Sequence, residues 1–239
     1  MTAAQAFPGA TGVTGLQVYD SAAPDGVCGG SPHIHLLCTE GYIVVAGSGR
    51  LQTLDSSGFA QLPLRERDVV WFTPGTIHRV INEGSLRIVV IMQNAGLPEA
   101  GDAVLTFPPD VLADGARYAE AASLARPDRV FATDEAAAMR RRDLAVTGFS
   151  ALCKQVAADG PGALEDFYAA ATALVAPRLA EWERRWREGP AAVAELTGRR
   201  LAALRAGDWA HLTDAKVHAE AAPAEQHWGM CGRLTTYDL

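Results

Sequence analysis

Gly30-Ser-Pro-His33-Ile-His35-Leu-Leu-Cys-Thr-Glu40-Gly-Tyr-Ile-Val-Val-Ala-Gly47 and Asp68-Val-Val-Trp-Phe-Thr-Pro74-Gly75-Thr-Ile-His78-Arg-Val-Ile-Asn82 are the two stretches whose reading decides the fold. His33 and His35 are two residues apart, and on a strand that spacing puts both imidazoles on one face. Glu40 follows after a gap that suits a turn, so its carboxylate can meet the imidazoles from the neighbouring strand. Pro74-Gly75 makes a second turn and His78 opens the strand after it. Three imidazoles and one carboxylate brought together from adjacent strands form a ligand set for a divalent transition metal. Iron, manganese, nickel, zinc and copper are all compatible with these donors, and an ion preferring five or six ligands keeps a position open. Glu40 and His78 are also the candidate catalytic groups.

Working outward, the chain to about residue 110 reads as β. Short runs rich in Val, Ile, Leu and Tyr alternate with Gly, Pro, Asp and Ser clusters. The expected strands are Gly15–Tyr19, His33–Cys38, Tyr42–Ala46, Leu51–Leu54, Val69–Phe72, His78–Asn82 and Leu86–Gln93. Asp55-Ser56-Ser57-Gly58 and Asn82-Glu83-Gly84-Ser85 have hairpin-turn chemistry. This spacing predicts an antiparallel barrel or sandwich. Tyr42 alternates with Glu40 and is expected to face the same interior. Arg87, Val89, Ile91 and Gln93 share one face of a strand and Ile88, Val90 and Met92 the other. If the first face is inward, Arg87 and Gln93 are polar pocket residues, and Gln52 has the same status. Tyr42, Gln52, Arg87 and Gln93 are therefore the candidate substrate-binding residues. Asn82 is expected to bond backbone, and Cys38 to be a small buried apolar group.

The two histidine-bearing segments resemble the two motifs of the cupin superfamily. Gly30, His33, His35, Glu40 and Gly47 match the first motif, and Pro74, Gly75, His78 and Asn82 match the second. Gly75 directly follows Pro74, and Asp68 stands where the family often has Gly; neither departure touches a ligand position. The resemblance covers roughly residues 14–110. It implies a jelly-roll β-barrel with His33, His35, Glu40 and His78 on one metal ion. Many family members with all four ligands are dioxygenases, which makes an oxygenase the expected activity. A redox-neutral isomerase, epimerase or lyase acting on a sugar-like substrate is the alternative, and a non-catalytic small-molecule binder a further one.

Beyond residue 110 the texture is helical, giving an expected division into a barrel, 1–110, and a helical extension with a strand-like tail, 111–239. Leu164, Tyr168, Ala171, Val175, Leu179, Trp182 and Trp186 recur at helical spacing as a core stripe or dimer face. Pro177 is expected to kink that helix and Gly189-Pro190 to end it. Further helices are expected over Asp134–Ala158, Ala191–Arg205 and Asp208–Ala219, with Ala113–Arg129 as a connector. The last of these helices would carry His211 and His218 near one face, read as surface or packing residues. Arg140-Arg141-Arg142 reads as a solvated face, with phosphate contact the sharper alternative. The tail from His227 to Leu239 reads as a packed terminal strand, with a substrate lid as the alternative.

Composition bounds the rest. The net charge is -7. Residues 1–110 hold five arginines, no lysine and ten acidic residues, so most of the negative charge sits on the barrel. A chain with this balance and no basic stripe is not built for nucleic acid or an anionic membrane. No apolar run reaches the ~18–20 residues of a membrane span. The N-terminus lacks a secretory pattern, and the four cysteines form no CxxC pair. A cytoplasmic homodimer acting on a small molecule is the expected setting.

Overall fold

A computed structural model of the 239-residue chain describes residues 6–124 and 135–237. The end of the expected connector, 125–129, the first residue of the next expected helix, Asp134, and the last two residues lie outside the described residues. Seven strands form the barrel: β1 (Gly12–Val18), β2 (His33–His35), β3 (Glu40–Asp55), β4 (Gly58–Arg65), β5 (Val69–Phe72), β6 (Ile77–Met92) and β7 (Ala103–Leu105). A C-terminal hairpin, β8 (His227–Trp228) and β9 (Gly232–Thr236), completes the sheet. All pairings are antiparallel, in the order β4-β3-β6-β1-β9-β8, with β5 on β3 and with β2 between β6 and β7. This is the jelly-roll-like architecture that the motif spacing predicts.

Two pairs of expected strands are each one long strand. Tyr42–Ala46 and Leu51–Leu54 fuse in β3, and His78–Asn82 and Leu86–Gln93 fuse in β6, the two running together with register shifts between Val44 and Gly49. Asn82-Glu83-Gly84-Ser85 is thus a bulge inside β6 and not a hairpin turn. The physical reason lies across the sheet: Gly47 takes φ +78° and Ser85 φ +50° at the same level, so both strands bend together. A Cβ at Gly47 would overlap the Gly84 carbonyl, which reserves the position for glycine. Asn82 pins the bend. Its Oδ1 accepts from the Gly84 and Leu86 amides, each at 3.1 Å, and its Nδ2 donates to the Val18 carbonyl. The other turn is as expected, a two-residue loop closed by the Asp55–Gly58 pair with Gly58 at φ +98°.

The helical segment runs α1 (Pro109–Leu112), α2 (Gly115–Ala122), α3 (Glu135–Asp159), α4 (Leu164–Val175), α5 (Leu179–Trp186) and α6 (Ala192–Arg205). The expected connector therefore contains a helix, α2, started by the Asp114 side chain accepting from the Ala116 and Arg117 amides. A 3₁₀ turn at Ala176–Arg178 breaks α4 from α5 at Pro177. Gly189-Pro190 does not stop the chain. A wider π turn over Arg187–Ala191 absorbs Pro190 and carries the backbone into α6. No residue of α6 is buried. The expected helix over Asp208–Ala219 is a single 3₁₀ turn, Ala210–Asp214, so His211 and His218 share no helix face. Leu212 and Val217 are exposed there, and no apolar stripe exists to hold a longer helix.

The helices pack on the outside of the barrel, and one apolar core runs through both. Ile34, Leu54, Leu64, Ile77, Val104 and Phe107 from the barrel side join Ala145, Phe149, Leu164, Phe167, Val175 and Trp182. Trp182 is buried and its Nε1 donates to the Ala100 carbonyl at 3.1 Å, whereas Trp186 is exposed. The arginine run is a correction to the sequence reading, because Arg141 and Arg142 form neither a solvated face nor a phosphate site. Both are buried, and their guanidinium groups donate to backbone carbonyls. Arg142 holds Ser21 and Ala22, and Arg141 holds Ala122 and Gly229.

Candidate metal centre

Strand geometry converts the sequence spacing into a cluster. His33 of β2 stands directly opposite His78 of β6, and His35 follows two residues on along the same face. Glu40 opens β3 opposite Met92 and Phe72. One ligand atom from each of His33, His35, Glu40 and His78 lies within 4.8 Å of the others, and all four residues are buried. His35 Nε2 and His78 Nε2 approach Glu40 Oε2 to 3.2 Å and 3.1 Å. Yet Glu40 Oε2 and His78 Nε2 lack an aligned hydrogen-bond partner among the described residues.

Three side chains facing inward with their outer nitrogens occupied is the arrangement a cation needs. His33 Nδ1 meets the Ser31 carbonyl at 2.9 Å, His35 Nδ1 the Asp102 carbonyl at 3.1 Å and His78 Nδ1 the Thr76 carbonyl at 3.2 Å. A carbonyl only accepts, so each Nδ1 carries a proton and Nε2 is the nitrogen left to present a lone pair to the common centre once any second proton is displaced. The donor set therefore fits a divalent transition metal. Buried carboxylate oxygens and imidazole nitrogens without aligned partners are costly unless something fills the space between them.

The electrostatics of the metal-free site follow from the crowding. Burial, with the neighbouring imidazoles, pushes the His33 pKa well down. Burial also opposes charge on His35, but hydrogen bonds and attraction from Asp102 and Glu40 outweigh it and lift the value to about 9. For Glu40, burial is outweighed by His78 and His35, which hold the carboxyl well below the usual range. The His35 proton thus stabilises the metal-free fold fully below the ordinary value of 6.5, and that contribution fades as pH rises through about 9. Metal must displace the same proton. Affinity is therefore expected to climb about tenfold per pH unit between roughly 7 and 9, then level off. Cobalt titrations across that range, and heats of binding in buffers of different ionisation enthalpy, measure it.

The sequence-predicted residues divide by strand parity. Tyr42 lies inside, buried, with its ring 5.3 Å from Phe72 and 6.5 Å from His78. Burial and the Glu40 charge push its hydroxyl pKa well up, so it stays protonated. Its oxygen has no hydrogen-bond partner among the described residues. Arg87 and Gln93 are not pocket residues facing the cluster. Ile88, Val90 and Met92 take the buried face of β6, which leaves Arg87 and Gln93 exposed, with Gln93 Oε1 accepting from the Thr39 amide. Gln52 stands opposite Arg79 and faces away from the cluster; its Nε2 donates to Gln61. Its neighbour Thr53 is the residue in register with His78.

Sequence reading missed Asp102. Its buried carboxylate accepts from the amides of Leu36, Leu37 and Cys38 at 3.1, 2.9 and 2.9 Å, and approaches His35 Nδ1 to 3.7 Å. It shapes the loop between His35 and Glu40, which ends β2 three residues earlier than expected. The one legible signal was an isolated carboxylate next to a short apolar run. Cys38 is buried beside it, as expected. Cys28, Cys38, Cys153 and Cys231 are all free thiols.

Among curated proteins, none matches this sequence. Solved structures similar in part include a Klebsiella pneumoniae subsp. pneumoniae protein with a double-stranded β-helix domain, at 15% identity, 36% of this chain, 69% of that chain and a TM-score of 0.30. Streptomyces Pac13 with uridine, a protein described as a nucleoside dehydratase, is similar at 18% identity over 39% of this chain and 66% of its own, with a TM-score of 0.30. The capsular polysaccharide assembling protein CapF of Staphylococcus aureus is similar at 20% identity over 34% of this chain, with a TM-score of 0.26. The chain spans only 22% of that CapF chain. Residues 22–92 match the family model described as Cupin domain, and they contain every metal-ligand candidate. Residues 22–92, within the barrel half of this chain, are a cupin domain.

Proposed function

We propose that this protein is a metal-dependent enzyme of the oxygenase class acting on a small organic molecule, with His33, His35, Glu40 and His78 holding the ion. The observation that supports it most is the convergence of three imidazoles and one carboxylate in a buried interior. A redox-active ion held there supplies electron exchange with dioxygen and polarises a chelating substrate. The chain's own residues do the rest. Phe72, Val90 and Met92 wall the cluster with apolar surface, which keeps water away from reactive species. Glu40 Oε2, between two imidazoles, is placed to take a proton from the substrate. The Tyr42 hydroxyl is a donor in the same interior.

One observation favours a second, redox-neutral reading as isomerase, epimerase or lyase. Glu40 and the protonated Tyr42 hydroxyl give the interior a base and a donor on one strand face, which proton transfer at a carbonyl requires. Oxygen consumption against a panel of acids, diketones and sugars, with the protein loaded in turn with each candidate metal, separates the two. The oxygenase reading expects substrate-dependent uptake that vanishes with the chelated protein. Full conversion under strict anaerobiosis would overturn it.

The setting proposed is a cytoplasmic homodimer. Among the described residues no helix is long and apolar enough to cross a membrane. Val69 and Trp71 stand exposed on the outer barrel surface, and a partner copy would cover them. Light scattering on the full chain is expected to give twice the 25.3 kDa chain mass.

A further inference from the structure

The C-terminal hairpin pairs with the side of β1 that β6 leaves free, and then reaches past it. β9 runs along β1 from Thr14↔Thr236 to Val18↔Gly232, and Trp228 of β8 stacks on Tyr19 with ring centres 5.7 Å apart. The chain that brings the hairpin there, residues 212–226, is exposed throughout, so the hairpin is held by its seat and not by its tether. The seat centres on the tip. The Gly229 carbonyl accepts from Tyr19 Oη and from the buried Arg141 guanidinium, at 2.5 and 2.7 Å. The Cys231 carbonyl accepts from the Tyr19 amide at 3.1 Å. The Met230 carbonyl accepts from both the amide and the hydroxyl of Ser31, at 2.9 and 2.7 Å. A Cβ on Gly30 would lie 2.6–2.9 Å from atoms of Cys231, so the hairpin and the first motif meet backbone to backbone.

Ser31 is fully buried, and both of its donors end on that one hairpin carbonyl. Its own carbonyl accepts from His33 Nδ1 at 2.9 Å. Ser31 therefore stands between the hairpin and a metal-ligand candidate, bonded to each. Pro32 sharpens the coupling. It has no amide hydrogen, so the Ser31–Pro32 peptide plane carries no donor that could fix it. A residue before proline is also confined to extended conformations, so turning the Ser31 carbonyl requires moving Ser31 itself. The flanking carbonyls are held from the barrel: Arg79 Nε donates to Gly30 and the Thr106 hydroxyl to Pro32, each at 3.1 Å. Those bonds do not pass through the hairpin; the two donated by Ser31 do.

We propose that the C-terminal hairpin is a strap that aims His33 at the metal, with Ser31 as the positioning residue. Seating the hairpin fixes Ser31. The Ser31 carbonyl then holds the His33 ring through Nδ1, and the ring's Nε2 is kept pointing at the common centre. Coupling between two binding events is reciprocal. Metal loading must therefore tighten the hairpin by the same factor by which the seated hairpin tightens the metal. The coupling rests on the metal-centre reading and adds a remote segment of the chain to it.

Hydrogen exchange of the full-length protein, read by mass spectrometry with and without cobalt(II), tests it. Cobalt is expected to slow exchange of the β8–β9 peptide by about tenfold or more. β4, an edge strand that pairs with β3 on the far side of the sheet, is the reference and is expected to be unaffected. Ser31→Ala removes one of the two bonds to Met230. It is expected to weaken cobalt about fivefold or more in competition with a chelating dye, and to shrink the slowing of the hairpin. The wild-type comparison decides even if Ser31→Ala does not fold. A hairpin whose exchange cobalt leaves unchanged, or slows no more than it slows β4, overturns the inference. So does a folded Ser31→Ala with wild-type cobalt affinity. A wild type that binds no cobalt instead removes the metal-centre reading on which the inference rests.

Discussion

His78→Ala loses its metal while its barrel stays folded. Four protein ligands typically supply about 10–16 kcal/mol of binding to a divalent ion, so each is worth roughly 3 kcal/mol and its removal costs ~10²–10³-fold in affinity. His78 is fully buried, in register with His33 on one side and Thr53 on the other, so the vacated space cannot admit a replacement side chain. The fold is insulated from this loss. Removing His78 also relieves crowding against His33, whose ring centre is 4.2 Å away. Far-ultraviolet circular dichroism is expected to be unchanged, and stability to fall by no more than ~1–2 kcal/mol from the small cavity. His33→Ala is expected to behave alike. Full metal stoichiometry in both variants would refute the site.

Asp102→Ala has the opposite profile, large in stability and smaller in affinity. Its buried carboxylate accepts from three consecutive amides, Leu36 to Cys38, and among the described residues only the Leu36 amide has a second acceptor, the residue-102 carbonyl at 3.4 Å. Alanine leaves the Leu37 and Cys38 amides without that acceptor, and loss of about 3–5 kcal/mol is expected in urea unfolding. His35 keeps its carbonyl partner from residue 102 but loses the carboxylate at 3.7 Å. Metal affinity is expected to fall about 10–100-fold, the usual range for a residue that orients a ligand. Asp102→Asn retains one acceptor oxygen and is expected to fall between. A stability change under ~1 kcal/mol in Asp102→Ala would contradict the role given to this carboxylate.

The metal ligands were legible because a strand has an exact period of two and the barrel brings the two motifs onto adjacent strands. That period also showed that Arg87 and Gln93 share a face, but not which face is inward. The choice is made by what packs outside β6, which is tertiary information. The 82–85 bulge was misread because Asn, Gly and Ser carry the same positive-φ chemistry in a turn and in a bulge. Asp102 was beyond reach for a different reason. Its partners lie about 65 residues away, and the one local signal, an isolated carboxylate beside a short apolar run, does not name them. Arg141 and Arg142 were read as surface because charged side chains are rarely buried; here four backbone carbonyls from three segments of the chain accept from the guanidinium groups and reverse that expectation.

The central claim is that one ion sits between His33, His35, Glu40 and His78. Crystals of the full chain soaked in cobalt, with anomalous diffraction recorded above and below the cobalt edge, test it most directly. The account predicts one anomalous peak within about 2.0–2.3 Å of the three Nε2 atoms and a Glu40 carboxylate oxygen. Fully folded protein with no peak at that point, or with cobalt only on surface histidines such as His218, would contradict it.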